Sequence, residues 1–121
     1  MWKVAVRQTF SAAHVIPGHP KCGRMHGHNY AVELRLHADE LNPMGFVIDF
    51  GELKSYLSEL LGKIDHTYLN DSLEPPFLPP SAEKISEYIH SQISKKLDKS
   101  PARHLSVRVW ETDSTWVEFT Q

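Results

Sequence analysis

With one cysteine in the chain, no disulfide framework can form within it, and the redox setting expected is a reducing, cytoplasmic one. Neither charge sign is in excess: 13 Lys and Arg stand against 15 Asp and Glu, for a formal net charge of −2. The basic residues are scattered, so the electrostatic footprint of a nucleic-acid or membrane-surface partner is absent, and no such partner is expected. No apolar stretch approaches the length of a membrane span. The start, Met1-Trp-Lys-Val-Ala-Val-Arg7, reads as a strand rather than a signal peptide, and the whole chain is expected to be the mature protein. No short repeat recurs at a fixed period. At 121 residues one domain over 1–121 is expected, large enough to bury about two-thirds of its unfolded surface, so a metal need not be required for folding.

What is present is a concentration of ligand and nucleophile atoms. His14, His26 and His28 share a run of fifteen residues with Cys22. His26 and His28 are separated by one glycine, so in extended chain both imidazoles project to the same side and can reach one ion. His14 is the third candidate, returned to the pair by a short loop. Three imidazoles leave a fourth tetrahedral position open, the pattern of a catalytic zinc site. Cys22 is either a fourth ligand that closes the site or a free thiol that takes a proton from a bound substrate.

Periodicity places this run in a fold. Trp2, Val4 and Val6 alternate with Lys3, Ala5 and Arg7, and Tyr30, Val32, Leu34 and Leu36 alternate with polar neighbours, predicting two strands that flank the His/Cys loop. With unbroken extended geometry, His14 shares the phase of Val4 and Val6, and His26 and His28 that of Tyr30 and Val32; one bulge would reverse this. Asp49 with Glu52 is a capping-box-like start to a helix carrying Phe50, Leu53, Leu57, Leu60, Leu61 and Ile64 and ending near Asp65. Glu74-Pro-Pro-Phe-Leu-Pro-Pro80 breaks the chain before Ser81, an N-cap for a second helix marked by Ile85, Ile89, Ile93 and Leu97. After a break at Ser100-Pro101, Leu105, Val107 and Val109 alternate with Ser106, Arg108 and Trp110, and Trp116 to Phe119 completes a hairpin around Glu111-Thr-Asp-Ser114. The expected architecture is α+β: a four-stranded antiparallel sheet in ββααββ order with two helices on one face. Its other face, with Trp110 and Trp116, needs cover, which pairing of sheet edges between subunits into a barrel would supply.

Six motifs in order then carry a resemblance over nearly the full length: Phe10-Ser-Ala-Ala-His14, Cys22-Gly-Arg-Met-His26-Gly-His28, Val47-Ile-Asp-Phe50, Asp65-His66, Ser81-Ala-Glu83 and Glu111-Thr112. On these the chain resembles the 6-pyruvoyltetrahydropterin synthase / 6-carboxytetrahydropterin synthase family. The three-residue gap between Cys22 and His26 is similar to that of its bacterial 6-carboxytetrahydropterin synthases of queuosine and deazapurine biosynthesis. Ser81 stands where the family more often has threonine.

The resemblance implies the tunnelling fold, with sheets joined into a barrel, two trimers stacked into a homohexamer and active sites between subunits. It implies His14, His26 and His28 as zinc ligands, Cys22 as the catalytic thiol, Asp65 and His66 as its proton-shuttling pair, and Glu111 as the anchor of a pterin ring. The implied reaction converts 7,8-dihydroneopterin triphosphate to 6-carboxy-5,6,7,8-tetrahydropterin with release of acetaldehyde and triphosphate. Pyruvoyl formation, side-chain cleavage on the same scaffold and a non-catalytic metal- or pterin-binding module are the competing readings. Asp49 and Ser81 are read chiefly as helix caps. His19, His37, His90 and His104 show no partner pattern and are read as ordinary surface or sheet residues, and Lys21, Arg24 and Lys84 as solvated charges that could meet a triphosphate.

Overall fold

In a computed structural model, which describes residues 1–97 and 103–121, the chain opens with two thirteen-residue strands, β1 (Trp2–His14) and β2 (His26–Ala38). They pair antiparallel without a slip from Trp2↔Ala38 to His14↔His26. Because the register never breaks, the even-numbered residues of both strands stay on one face throughout. Val6, Phe10, Ala12 and His14 are buried on β1, and Tyr30, Val32, Leu34 and Leu36 on β2. The phase expected from the sequence therefore holds as far as the three histidines.

Helix α1 (Phe50–Gly62) starts where Asp49 accepts hydrogen bonds from the Gly51 and Glu52 amides. The reciprocal half of the box is not made, because the Glu52 carboxylate accepts from the Tyr56 hydroxyl instead. The helix also ends short of Asp65: Lys63 is its C-cap, and the chain then turns toward the edge of the sheet. There Thr67–Tyr68 forms β3, a two-residue strand parallel to β1, followed by the single-turn helix α2 (Leu69–Ser72). The sheet thus has five strands, in the order β3-β1-β2-β4-β5, and is not wholly antiparallel. The sequence hides β3 because two residues are too few to show a period. After a 3₁₀ turn over Pro75–Phe77, α3 (Ala82–Lys96) begins at Ser81, whose hydroxyl accepts from the Lys84 amide. The break expected at Ser100-Pro101 lies outside the described residues. β4 (Arg103–Thr112) and β5 (Thr115–Thr120) form the closing hairpin.

Leu53, Leu57, Leu60 and Leu61 of α1 and Ile85, Ile89 and Ile93 of α3 pack on the even face of β1 and β2 and on Leu105, Val107 and Val109 of β4, forming one core cluster. His90 belongs to this layer and is not a surface residue. It sits in α3 with its Nε2 3.1 Å from the Leu105 carbonyl, its ring edge-on to Phe119, and only 6% of its surface exposed. A histidine in phase with Ile89 and Ile93 is carried into the core by the helix period, whatever its polarity. On the far face of the sheet Arg7 lies over Trp110 and Arg108 over Trp116, at 4.3 and 3.7 Å from the ring centroids. Within one chain the sheet is open, and no described helix is long and apolar enough to cross a membrane.

Candidate metal centre

The β1–β2 register carries the site. His14 and His26 are direct cross-strand partners, and His28 lies opposite Ala12, whose small side chain leaves space above it. The three rings meet edge-on, with centroids 4.5 to 5.1 Å apart. Their ligand nitrogens all lie within 4.8 Å of one another, and they are the one set of three or more such groups among the described residues.

Two backbone carbonyls fix what these nitrogens offer. The Nδ1 of His14 lies 2.8 Å from the carbonyl of buried Pro80, and the Nδ1 of His26 lies 2.7 Å from that of Arg24. A carbonyl only accepts, so each Nδ1 carries the proton, and in the neutral ring each Nε2 presents a lone pair. Those two lone pairs face each other across 2.9 Å. The Nε2 of His28 is buried and makes no hydrogen bond of good geometry, although a Glu111 oxygen lies 3.0 Å away, and burial holds the His28 pKa below its usual 6.5 against the opposing pull of Glu111. Imidazole lone pairs pointed at one space repel unless a cation lies between them. Tetrahedral zinc at its usual bond length places such nitrogens about 3.3 Å apart, so these residues fit a divalent ion with small adjustments.

Glu111 borders the same space. Its Oε2 is 3.0 Å from His28 Nε2 and 3.9 Å from His14 Nε2. It gets there through a bulge: Trp110 pairs with Trp116 and Thr112 with Thr115, leaving Glu111 as the extra residue of β4. The hairpin turn proper is Asp113-Ser114. Beneath the imidazoles lies Tyr30, fully buried, stacked on Phe10, with its hydroxyl 3.2 Å from His14 Nδ1. Burial, with the Glu111 charge adding to it, pushes the phenol pKa well up.

The remaining candidates stand apart. Cys22 is half-buried in the loop between β1 and β2 and lies outside the cluster of ligand nitrogens. Asp65 and His66 sit at the β1 edge. The Ser11 amide donates to Asp65 Oδ1 at 2.9 Å, and the His66 amide donates back to the Ser11 carbonyl. The other carboxylate oxygen is 3.0 Å from His66 Nδ1. The Ser11 amide first, and the His66 ring second, hold the Asp65 pKa below the usual carboxylate value. His66 has φ +59 and its side chain is 80% exposed. It does not cap α1. No hydrogen bond joins this pair to Cys22 or to the three ligand histidines among the described residues. Lys21 and Arg24 are exposed and Lys84 pairs with Glu87, while His37 stacks on His104 at the opposite end of the hairpin.

Three features of the centre have no counterpart in sequence spacing. The Pro80 and Arg24 carbonyls leave no side-chain signal. Asn70 does the same kind of work one residue beyond His14, with its amide group accepting from the Val15 N–H at 2.9 Å and donating to the Val15 carbonyl at 3.0 Å, like an added strand partner. Tyr30 was within reach of sequence reasoning, because it shares the phase of His28 two residues on.

Residues 3–121 match the family model described as 6-pyruvoyl tetrahydropterin synthase. An Archaeoglobus fulgidus protein provisionally named 6-carboxy-5,6,7,8-tetrahydropterin synthase is 38% identical over 115 residues, which are 95% of this chain and 92% of that one. The Bacillus subtilis 6-carboxy-5,6,7,8-tetrahydropterin synthase is 34% identical over 106 residues, 83% of this chain and 70% of its own. Among solved structures, Caenorhabditis elegans 6-pyruvoyl tetrahydropterin synthase superposes with a TM-score of 0.86 over 99% of this chain and 95% of its own, at 23% identity, a likeness of fold. With the model matching all but the first two residues and a relative at 38% over most of both chains, this chain belongs to the 6-pyruvoyl tetrahydropterin synthase family.

Proposed function

We propose that the chain is a zinc-dependent 6-carboxytetrahydropterin synthase, converting 7,8-dihydroneopterin triphosphate to 6-carboxy-5,6,7,8-tetrahydropterin, acetaldehyde and triphosphate. The observation that carries this reading is the convergence of three imidazole nitrogens on one space bordered by Glu111. Relatives of that name in Bacillus subtilis and Haemophilus influenzae support the choice within the family.

In this reading His14, His26 and His28 hold the ion. Zinc, when bound, supplies Lewis-acid stabilisation of negative charge as a carbon-bound proton leaves, worth several kcal/mol of barrier. Glu111 accepts two hydrogen bonds from the amino and ring N–H groups of the pterin, which orients the side chain toward the ion. Cys22 takes the carbon-bound proton. His66, oriented by the Asp65 carboxylate, accepts and returns protons during triphosphate elimination, tautomerisation and carbon–carbon cleavage. His66 and the ligand His28 line one open surface pocket of the chain, and the assembly proposed is a homohexamer with active sites between subunits. The setting proposed is the cytoplasm, in queuosine or related deazapurine biosynthesis.

The test is incubation of zinc-loaded protein with 7,8-dihydroneopterin triphosphate, following acetaldehyde and the pterin by mass spectrometry. Acetaldehyde with a 6-carboxylated pterin is expected, and Cys22→Ala should lower turnover about 10²- to 10⁴-fold while keeping its zinc. A product that retains a three-carbon side chain would move the chain to the pyruvoyl branch. An unchanged substrate would leave only a binding module.

A further inference from the structure

The loop that carries Cys22 is held at more points than its length requires. The Ile16 amide donates to the Cys22 carbonyl at 2.8 Å, the His19 amide to the Ile16 carbonyl at 3.2 Å, and the Gly23 amide to the His19 carbonyl at 2.9 Å. The close approach at Gly23 is itself restrictive, since a Cβ there would lie 2.6 Å from the His19 oxygen. These backbone bonds already close the loop. On top of them, a single side-chain atom, His19 Nδ1, accepts two more amides, from Lys21 at 3.1 Å and from Cys22 at 2.8 Å. To accept, Nδ1 must be unprotonated, so the ring is the neutral Nε2–H tautomer, with its free edge turned to solvent. The ring therefore acts as a turn-forming acceptor aimed at the backbone of the residue that bears the thiol. His19 is accordingly more than the ordinary surface histidine that its sequence context suggests.

We propose that His19 is a positioning residue for the reaction, fixing the orientation of Cys22 through the Cys22 and Lys21 amides. The proposal rests on the reading of Cys22 as the working thiol. The chemistry behind it is geometric: proton abstraction from carbon needs the sulfur at hydrogen-transfer distance, and small misplacements are costly. Pinning the backbone on both sides of a loop residue fixes the direction in which its side chain leaves the chain. Here the carbonyl of Cys22 is pinned to Ile16 and its amide to His19.

Three variants of the zinc-loaded protein separate this from a merely structural role. His19→Phe keeps the ring and removes the acceptor. His19→Asn places a carbonyl oxygen at the same bond separation from the backbone as Nδ1, and His19→Gln places it one bond farther out. We expect His19→Phe and His19→Gln to lose about 10- to 100-fold in kcat, with KM and zinc content near wild type, and His19→Asn to recover most of the loss. A second readout is the rate of Cys22 alkylation by iodoacetamide in the resting protein. It should rise at least about threefold in the Phe and Gln variants and return toward wild type in the Asn variant. Wild-type kcat and alkylation in His19→Phe, or an Asn variant no better than Phe, would overturn the proposal. Should the wild-type protein leave the pterin triphosphate unchanged, the proposed function fails, yet the alkylation series still decides whether His19 holds the thiol.

Discussion

At the scale of single residues, the centre is defined as much by what holds the ligands as by the ligands. His28 offers the plainest test, because its Nε2 is buried beside Glu111 and makes no hydrogen bond of good geometry. Replacing it with alanine should remove one of three ligands and lower zinc affinity by at least about 10- to 100-fold, read by competition with a chromogenic chelator. Glu111→Gln keeps the shape and one acceptor but loses the charge. Its KM for the pterin should rise about tenfold or more with zinc retained, since a charge-assisted pair becomes a neutral one. Steady-state kinetics beside metal analysis checks both halves. The residue roles differ in how far sequence could reach them. His14, His26, His28 and Glu111 stand in motifs with side-chain chemistry, and the structure brings all four together. His19 does not, because its work is done on backbone amides, which leave no trace in composition or spacing.

At the scale of elements, the strands and helices were legible wherever a period had room to repeat. The phase from Val4 to His14 and from His26 to Leu36 follows from alternation alone, because the pairing runs without a slip. Thr67–Tyr68 and Leu69–Ser72 were not legible, since a two-residue strand and a one-turn helix hold no period and depend on the tertiary contact with the β1 edge. Helix α3 carries the element's own prediction through His90. Its folded pKa lies below the ordinary 6.5, chiefly because burial disfavours the cation, so the unfolded chain binds the proton more readily. Its contribution to stability is complete above that unfolded value and is lost as pH falls through the lower folded one. In His90→Gln, urea unfolding of metal-free protein should show a shallower fall in stability below about pH 6.5 than wild type. An identical slope in both proteins would mean that other groups carry the acid sensitivity.

At the scale of the whole molecule, the core and the metal centre are separable. Apart from His14, the ligand side chains lie outside the buried layer formed by α1, α3 and the even face of the sheet. Chelation should therefore leave the far-ultraviolet spectrum intact while removing the linkage stabilisation, RT ln(1 + [Zn]/Kd), and so lowering the melting temperature. Collapse of the spectrum on adding chelator at room temperature would instead make the ion part of the fold. The β1–β2 hairpin runs under both regions: at about 3.4 Å per residue its thirteen paired positions span some 40 Å from Trp2 to the ligand His14, with core residues Val6, Phe10 and Ala12 along the way. Over that distance the site is indexed by parity. Inserting or deleting one residue between Val6 and Phe10 would send His14 to the opposite face while leaving the strand's composition nearly untouched, whereas a two-residue change would restore its side. Point substitutions in this stretch should thus be borne far more easily than single-codon length changes, and natural variation in strand length here should come in steps of two.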